Sequence, residues 1–134
     1  MPLLQIRNLS VAYHTQRGTV HAVDHVSLDV EQTQHLGIIG ESGCGKSTLM
    51  RALVRVLPPN GQIVSGEIIF KGQNLLALSE NEMRQLRWQE IATIPQASMD
   101  SLNPVKKVGQ QLEQVMTVRG KYDRAAARRR AVDL

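Results

Sequence analysis

The stretch Gly40-Glu41-Ser42-Gly43-Cys44-Gly45-Lys46-Ser47-Thr48 decides how the rest of this chain is read. It satisfies G-x-x-x-x-G-K-[ST], with Gly40 opening, Gly45 and Lys46 at the centre and Ser47 closing. Upstream lies the apolar run Leu36-Gly37-Ile38-Ile39. Downstream, Thr48-Leu49-Met50-Arg51-Ala52-Leu53-Val54-Arg55-Val56-Leu57 carries a helical pattern. Strand, glycine-rich turn and helix, in that order, give the motif its physical meaning. Successive backbone N–H groups of such a turn make a concave anion site, and the helix N-terminus adds the positive end of its dipole. Gly40, Gly43 and Gly45 keep side chains away from the phosphates and allow backbone angles that other residues resist. Lys46 offers a mobile cation to the β- and γ-phosphates, and Ser47 offers a hydroxyl to Mg²⁺. Glu41, Ser42, Cys44 and Thr48 complete the binding stretch, Glu41 and Cys44 through their backbone alone. A glycine turn that binds nothing is the plain alternative, and full agreement with the motif in this context argues against it.

Outward from the loop, the spacing predicts a strand over Leu3 to Val11, with Leu4, Ile6 and Leu9 as apolar markers, followed by Tyr13 and the polar loop His14 to Gly18. Val20 to Val30 reads as a half-buried antiparallel strand: Val26, Leu28 and Val30 point one way, Ser27 and Asp29 the other. His35 to Ile39 reads as a buried strand. The helix after the loop is expected to run to Leu57, where Pro58-Pro59-Asn60-Gly61 cannot continue it. Gly66 to Phe70 reads as a strand closed by the turn Lys71-Gly72-Gln73. Ser79 and Glu82 form a capping box that opens a helix. Ile91 to Pro95 reads as a short strand leading to Gln96. Val108, Leu112, Val115 and Met116 mark one helix face, with Gly120 as its cap, and Asp123 starts another helix.

Composition narrows the class. At 134 residues, 42% hydrophobic and 21% charged, the chain suits one small domain or part of a larger one, and it is not disordered. No apolar run approaches the roughly 20 residues of a membrane span, and Met1 to Arg7 does not read as a secretory signal. A single cysteine, Cys44, excludes an internal disulfide and suits a cytoplasmic setting. Its place beside Lys46 at a helix start would favour the thiolate, yet no histidine follows closely to make it a catalytic nucleophile. The net charge is +4, and Arg124, Arg128, Arg129 and Arg130 account for it near the C-terminal end. A solvated helix face explains them, since no aromatic residues interleave to stack bases, and no nucleic-acid partner is expected.

The segment Ile94-Pro95-Gln96-Ala97-Ser98-Met99-Asp100-Ser101-Leu102-Asn103-Pro104, with Gly66 to Gly72 and Leu76 to Ser79, resembles the ATP-binding subunits of ABC transporters. The importers of dipeptides, oligopeptides and nickel are similar in the S-L-N-P ending. The resemblance runs from about Leu3 to the last residues. It implies an α/β P-loop NTPase (ABC ATPase) fold with an antiparallel β subdomain, the start of a helical subdomain and an incomplete central sheet. Residues 1–33 and 62–73 would form the β subdomain, 34–57 and 91–96 the nucleotide-binding core, and 97–134 the Q-loop and start of the helical subdomain. It further implies ATP and Mg²⁺ as cofactors, with Tyr13 stacking on adenine and Gln96 contributing to the metal and attacking-water environment beside Lys46 and Ser47. The segment from Gln96 to Val105 would meet transmembrane permease subunits, a second ATP-binding subunit would complete the sandwich, and the assembly would lie on the cytoplasmic face of the inner membrane.

Thr33-Gln34 replaces the family's common Gly-Glu turn and puts no site residue in doubt. The larger departure is that 134 residues stop short of the L-S-G-G-Q signature, the Walker B strand with its glutamate and the switch histidine. His14, His21, His25 and His35 all lie upstream and cannot replace that histidine in chain order. The expectation is therefore an energy-coupling ATPase subunit of a peptide or nickel importer, represented by its N-terminal portion, that binds ATP without efficient hydrolysis. The alternative is a non-catalytic fragment or relic that binds only nucleotide or a partner subunit.

Overall fold

The computed structural model describes residues 2–95, 102–119 and 122–133. The chain divides into two compact units, Met1–Arg87 and Trp88–Leu134.

The first unit is built on a hairpin of β1 (Leu4–Thr15) and β2 (Gly18–Val30). Its turn is closed by the Thr15 hydroxyl, which donates to the Gly18 carbonyl at 2.8 Å. β3 (Gly61–Phe70) pairs antiparallel with the other edge of β1, and β4 (Gln73–Asn74) with the end of β3, giving the order β2-β1-β3-β4. The β3–β4 turn places both Lys71 (φ 49°) and Gly72 (φ 81°) in the left-handed region, the geometry that matches strand twist in a two-residue hairpin. As the inner strand, β1 supplies the core: Ile6, Leu9, Val11 and Ala12 are fully buried, joined by Ile68, Leu75 and Met83. Midway along β1 both ladders slip register around Asn8, and Gly66 crosses there with φ 97°. A Cβ on Gly66 would lie 2.5 Å from the carbonyls of Arg7 and Asn8, so only glycine fits this bulge.

Between β2 and β3 the chain forms α1 (Lys46–Leu53), whose Thr48, Leu49 and Ala52 are buried. After β4 a short 3₁₀ turn (Leu75–Ala77) leads to α2 (Glu80–Gln89). The capping box forms as expected: the Ser79 amide donates to Glu82 Oε2 at 2.8 Å, and the Glu82 amide donates to Ser79 Oγ at 3.4 Å. In the second unit α3 (Val108–Arg119) and α4 (Arg124–Val132) lie against each other, and Asp123 caps α4 by accepting from the Ala126 amide at 2.7 Å. Arg124, Arg128, Arg129 and Arg130 are exposed, as a solvated face requires. The expected cap Gly120 lies outside the described residues.

Four expectations change. β1 continues through Tyr13 to Thr15 instead of ending at Val11, because its ladders with β2 and β3 extend that far. β3 begins at Gly61, five positions before the predicted start, for the same reason. α1 stops at Leu53, not Leu57, because Arg55 turns left-handed at φ 52°. Finally, His35 to Ile39 and Ile91 to Pro95 are not buried strands: no described ladder includes 35–39, and Ile39 and Ile94 are 98% and 92% exposed. An apolar run becomes a buried strand only when neighbours take its backbone hydrogen bonds.

Candidate functional site

The loop enters α1 through Gly45, which serves as the N-cap residue at φ 98°. A Cβ there would stand 2.1 Å from the Ala22 carbonyl oxygen of β2, so the sheet and the loop touch backbone to backbone at this glycine. The first helical bond follows directly, from the Leu49 amide to the Gly45 carbonyl at 2.9 Å. Gly43 is also left-handed, at φ 83°, and its outer side is open, with nothing within 4 Å of a built Cβ. Gly40 is crowded from within its own loop, where a Cβ would lie 2.7 Å from Cys44 Sγ. The three glycines thus serve different needs: close approach to β2, an open turn, and room for a neighbouring side chain.

Lys46 folds back over the loop. Its ammonium donates to the carbonyls of Gly40 at 2.7 Å and Glu41 at 2.6 Å, and to Cys44 Sγ at 3.3 Å. The hydrogen bond from that ammonium lowers the Cys44 thiol below its ordinary pKa, and Cys44 is exposed. Glu41 and Ser42 are also exposed, and Ser47 presents its side chain to solvent on the first turn of α1. Thr48 turns the other way and is buried, with its Oγ1 3.1 Å from the Tyr13 hydroxyl. Tyr13 is half-buried, its ring running alongside Gly61, where a Cβ would meet Cε1 at 2.7 Å. The structure therefore brings Tyr13 to Thr48 at the end of the stretch Gly40 to Thr48. Gln96 and residues 97–101 lie outside the described residues.

The arrangement suits a polyanion. The Lys46 ammonium and the start of α1 lie at the loop with the exposed Ser47 hydroxyl beside them, the ammonium here donating to the Gly40 and Glu41 carbonyls and the Cys44 amide to the Glu41 carbonyl at 3.4 Å. No such loop could be lined by larger residues at Gly45. Among the described residues no group of three or more His, Cys, Asp and Glu side chains could hold a metal ion.

Sequence reasoning missed four residues that the fold places around the loop and α1. Ala22 contributes only a carbonyl, and Gly61 only the absence of a side chain. The others are a pair of arginines, Arg55 and Arg87, at the far end of α1. Neither residue type nor spacing in the sequence marks these, because each acts through a contact made only on folding.

Residues 23–133 match the ABC transporter family. The dipeptide transport ATP-binding protein DppD of Caldanaerobacter subterraneus is 41% identical over 118 residues, covering 88% of this chain and 36% of that protein. The oligopeptide transport ATP-binding protein OppD of Bacillus subtilis is 41% identical over 133 residues, covering 98% of this chain and 37% of the relative. DppD of Lactococcus lactis is similar at 41%, with 98% and 38% covered. The chain thus spans a little over a third of the length of these relatives. Among solved structures, the dimeric ATP-binding cassette MJ0796 bound to ADP and Pi superposes with a TM-score of 0.81 at 21% identity, covering 97% of this chain and 54% of that one. That likeness shows the fold, a partial ATP-binding cassette. From the match over residues 23–133, the chain belongs to the ABC transporter family.

Proposed function

We propose that this chain is the N-terminal portion of the energy-coupling ATP-binding subunit of an importer for dipeptides or oligopeptides. The observation that carries the reading is the loop itself: a complete G-x-x-x-x-G-K-S motif, folded with left-handed Gly43 and Gly45 and with Lys46 held over it. The relatives named as peptide transport ATP-binding proteins support the substrate class.

ATP with Mg²⁺ is the ligand. Lys46 and the amides of residues 40–48 hold the phosphates, Ser47 lends its hydroxyl to the metal, and Tyr13 stacks on the base. Gln96 joins the metal environment and, with the residues up to Val105, meets the permease. A second ATP-binding subunit closes the site, on the cytoplasmic face of the plasma membrane. Residues 1–33 and 62–73 act as the β subdomain, 34–57 and 91–96 as the nucleotide core, and 97–134 as the Q-loop and the start of the helical subdomain. When bound, Mg²⁺ neutralises phosphate charge and the triphosphate supplies the free energy that transport uses. Residues 1–134 bind without turning over at a useful rate, since positioning groups for the attacking water lie outside them.

A titration of the 134-residue chain with a fluorescent ATP analogue and Mg²⁺ tests the reading. Saturable binding that Lys46→Ala weakens by about a hundredfold is expected, the loss of a charge-assisted contact to phosphate being worth roughly 3 kcal/mol. Equal binding by the wild type and Lys46→Ala overturns it.

A further inference from the structure

We propose that Arg55 and Arg87 are positioning residues for the nucleotide: from the far end of α1 they fix the helix whose first turn carries Lys46, Ser47 and Thr48. The inference rests on the nucleotide reading above.

α1 is eight residues long, Lys46–Leu53, and a helix of about two turns does not persist without external holds. At its start those holds are the Gly45–Ala22 approach and the Thr48–Tyr13 hydrogen bond. At its end the chain closes a Schellman turn. The Arg55 amide donates to the Ala52 carbonyl at 3.0 Å and the Val56 amide to the Arg51 carbonyl at 2.9 Å, past the C-cap Val54. Glycine is the usual occupant of the left-handed position in that turn, because a Cβ there is strained. Here it is Arg55, at φ 52°.

An arginine in a glycine position calls for a compensating contact, and one is present. The Arg55 guanidinium donates through Nη1 to the carbonyls of Leu75 at 3.0 Å and Leu78 at 2.7 Å. Arg87, from α2, answers from the opposite direction. Its Nε donates to the Val54 carbonyl at 2.8 Å, and its Nη2 donates to the Arg55 carbonyl at 3.1 Å. Its Nη1 pairs with Glu80 Oε1 at 2.6 Å. The Arg87 side chain is only 19% exposed. Carbonyls at a helix end lack intrahelical partners and carry the negative end of the dipole, so a cation with several donors suits them. A planar fork can serve two successive carbonyls and a carboxylate at once, whereas a lysine cannot.

The two guanidinium groups therefore tie the end of α1 to the 75–78 segment and to α2. Because the helix is short, a tilt at that end is transmitted to the turn bearing Lys46. Misplacement of a positioning group by an ångström can cost a large factor in binding geometry.

The test uses the 134-residue chain, a fluorescent ATP analogue with Mg²⁺, and the variants Arg87→Ala, Arg87→Lys and Arg55→Gly. Arg87→Ala is expected to weaken analogue binding about tenfold. Millimolar guanidinium should restore it, while leaving wild type and Lys46→Ala unchanged. Arg87→Lys should remain weak despite its charge. Arg55→Gly relieves the backbone while releasing Leu75 and Leu78, so it should weaken binding without lowering the melting temperature, and this carries the test if Arg87→Ala does not fold. Binding as tight as wild type in folded Arg87 variants and in Arg55→Gly, or no rescue by guanidinium, overturns the proposal. If neither wild type nor Lys46→Ala binds, the nucleotide reading fails by itself. Exchange of the Leu49 amide then decides the clamp: faster exchange in Arg87→Ala, slowed again by guanidinium, supports it, and unchanged exchange overturns it.

Discussion

The two flanks of the phosphate loop have opposite fates. On the helix side, Thr48, Leu49 and Ala52 are buried, Gly45 lies against the Ala22 carbonyl, and Tyr13 reaches Thr48. On the strand side, Leu36, Ile38 and Ile39 are 45%, 43% and 98% exposed, and no described ladder includes them. Both flanks are apolar in sequence. What separates them is the supply of partners: the β1–β2–β3 sheet receives the helix, whereas the run 35–39 meets no strand among the described residues. Among the described residues, the contacts that hold the loop therefore all come from the helix side.

That asymmetry can be attacked directly. The largest effect is expected at Gly45. Gly45→Ala forces a Cβ into the Ala22 carbonyl at a left-handed position, and should cost roughly 3–5 kcal/mol in denaturant unfolding and abolish analogue binding. Retention of both would show that the loop is not braced on β2. Next is the matched pair Leu49→Ala and Ile39→Ala. Leu49 is 5% exposed, and its truncation should destabilise by about 2–3 kcal/mol; Ile39→Ala should change stability by less than about 0.5 kcal/mol. Similar losses at the two sites would mean that the strand flank is buried after all.

The smallest effect is on acidification. Arg7 holds the Asp29 carboxyl below its ordinary pKa, Arg87 does the same for Glu80, and the Ser79 hydroxyl and amide do so for Glu82. A group with a depressed folded pKa stabilises fully above its unfolded value and loses that contribution as pH falls through the folded one. Denaturant midpoints should therefore hold steady through neutral pH and decline modestly below about pH 4. A midpoint that rises on acidification would contradict the assigned pairs. All three carboxylates belong to the sheet and its helices, and none lies in 35–39, so the decline should follow the helix-side flank.

Much of this architecture was legible from local chemistry. The Ser79–Glu82 capping box, the alternation of Val26, Leu28 and Val30 and the Asp123 cap each involve residues a few positions apart, and each forms as read. What escaped depends on long-range contact. In sequence the prolines mark the end of α1, because nothing there indicates that Arg55 turns left-handed. Its reward comes from Leu75 and Leu78, twenty and more positions away. The run 35–39 reads as a strand for the converse reason: hydrophobicity announces a wish for neighbours and does not provide them. Within the site, resemblance points to Tyr13, but its tie to Thr48 and its packing beside Gly61 are products of the fold.

The order of strands carries one more consequence, for how the site comes into being. β1 and β2 are adjacent in sequence and joined by a tight turn, so their pairing is local and fast. β3 reaches β1 only after the excursion that contains the loop and α1, with Leu4 meeting Phe70 and Tyr13 meeting Gly61. Closing that excursion costs chain entropy before any contact repays it. Loop-closure entropy therefore predicts that the hairpin pairs before β3 joins it, and that the cradle between them takes shape once that long loop has closed.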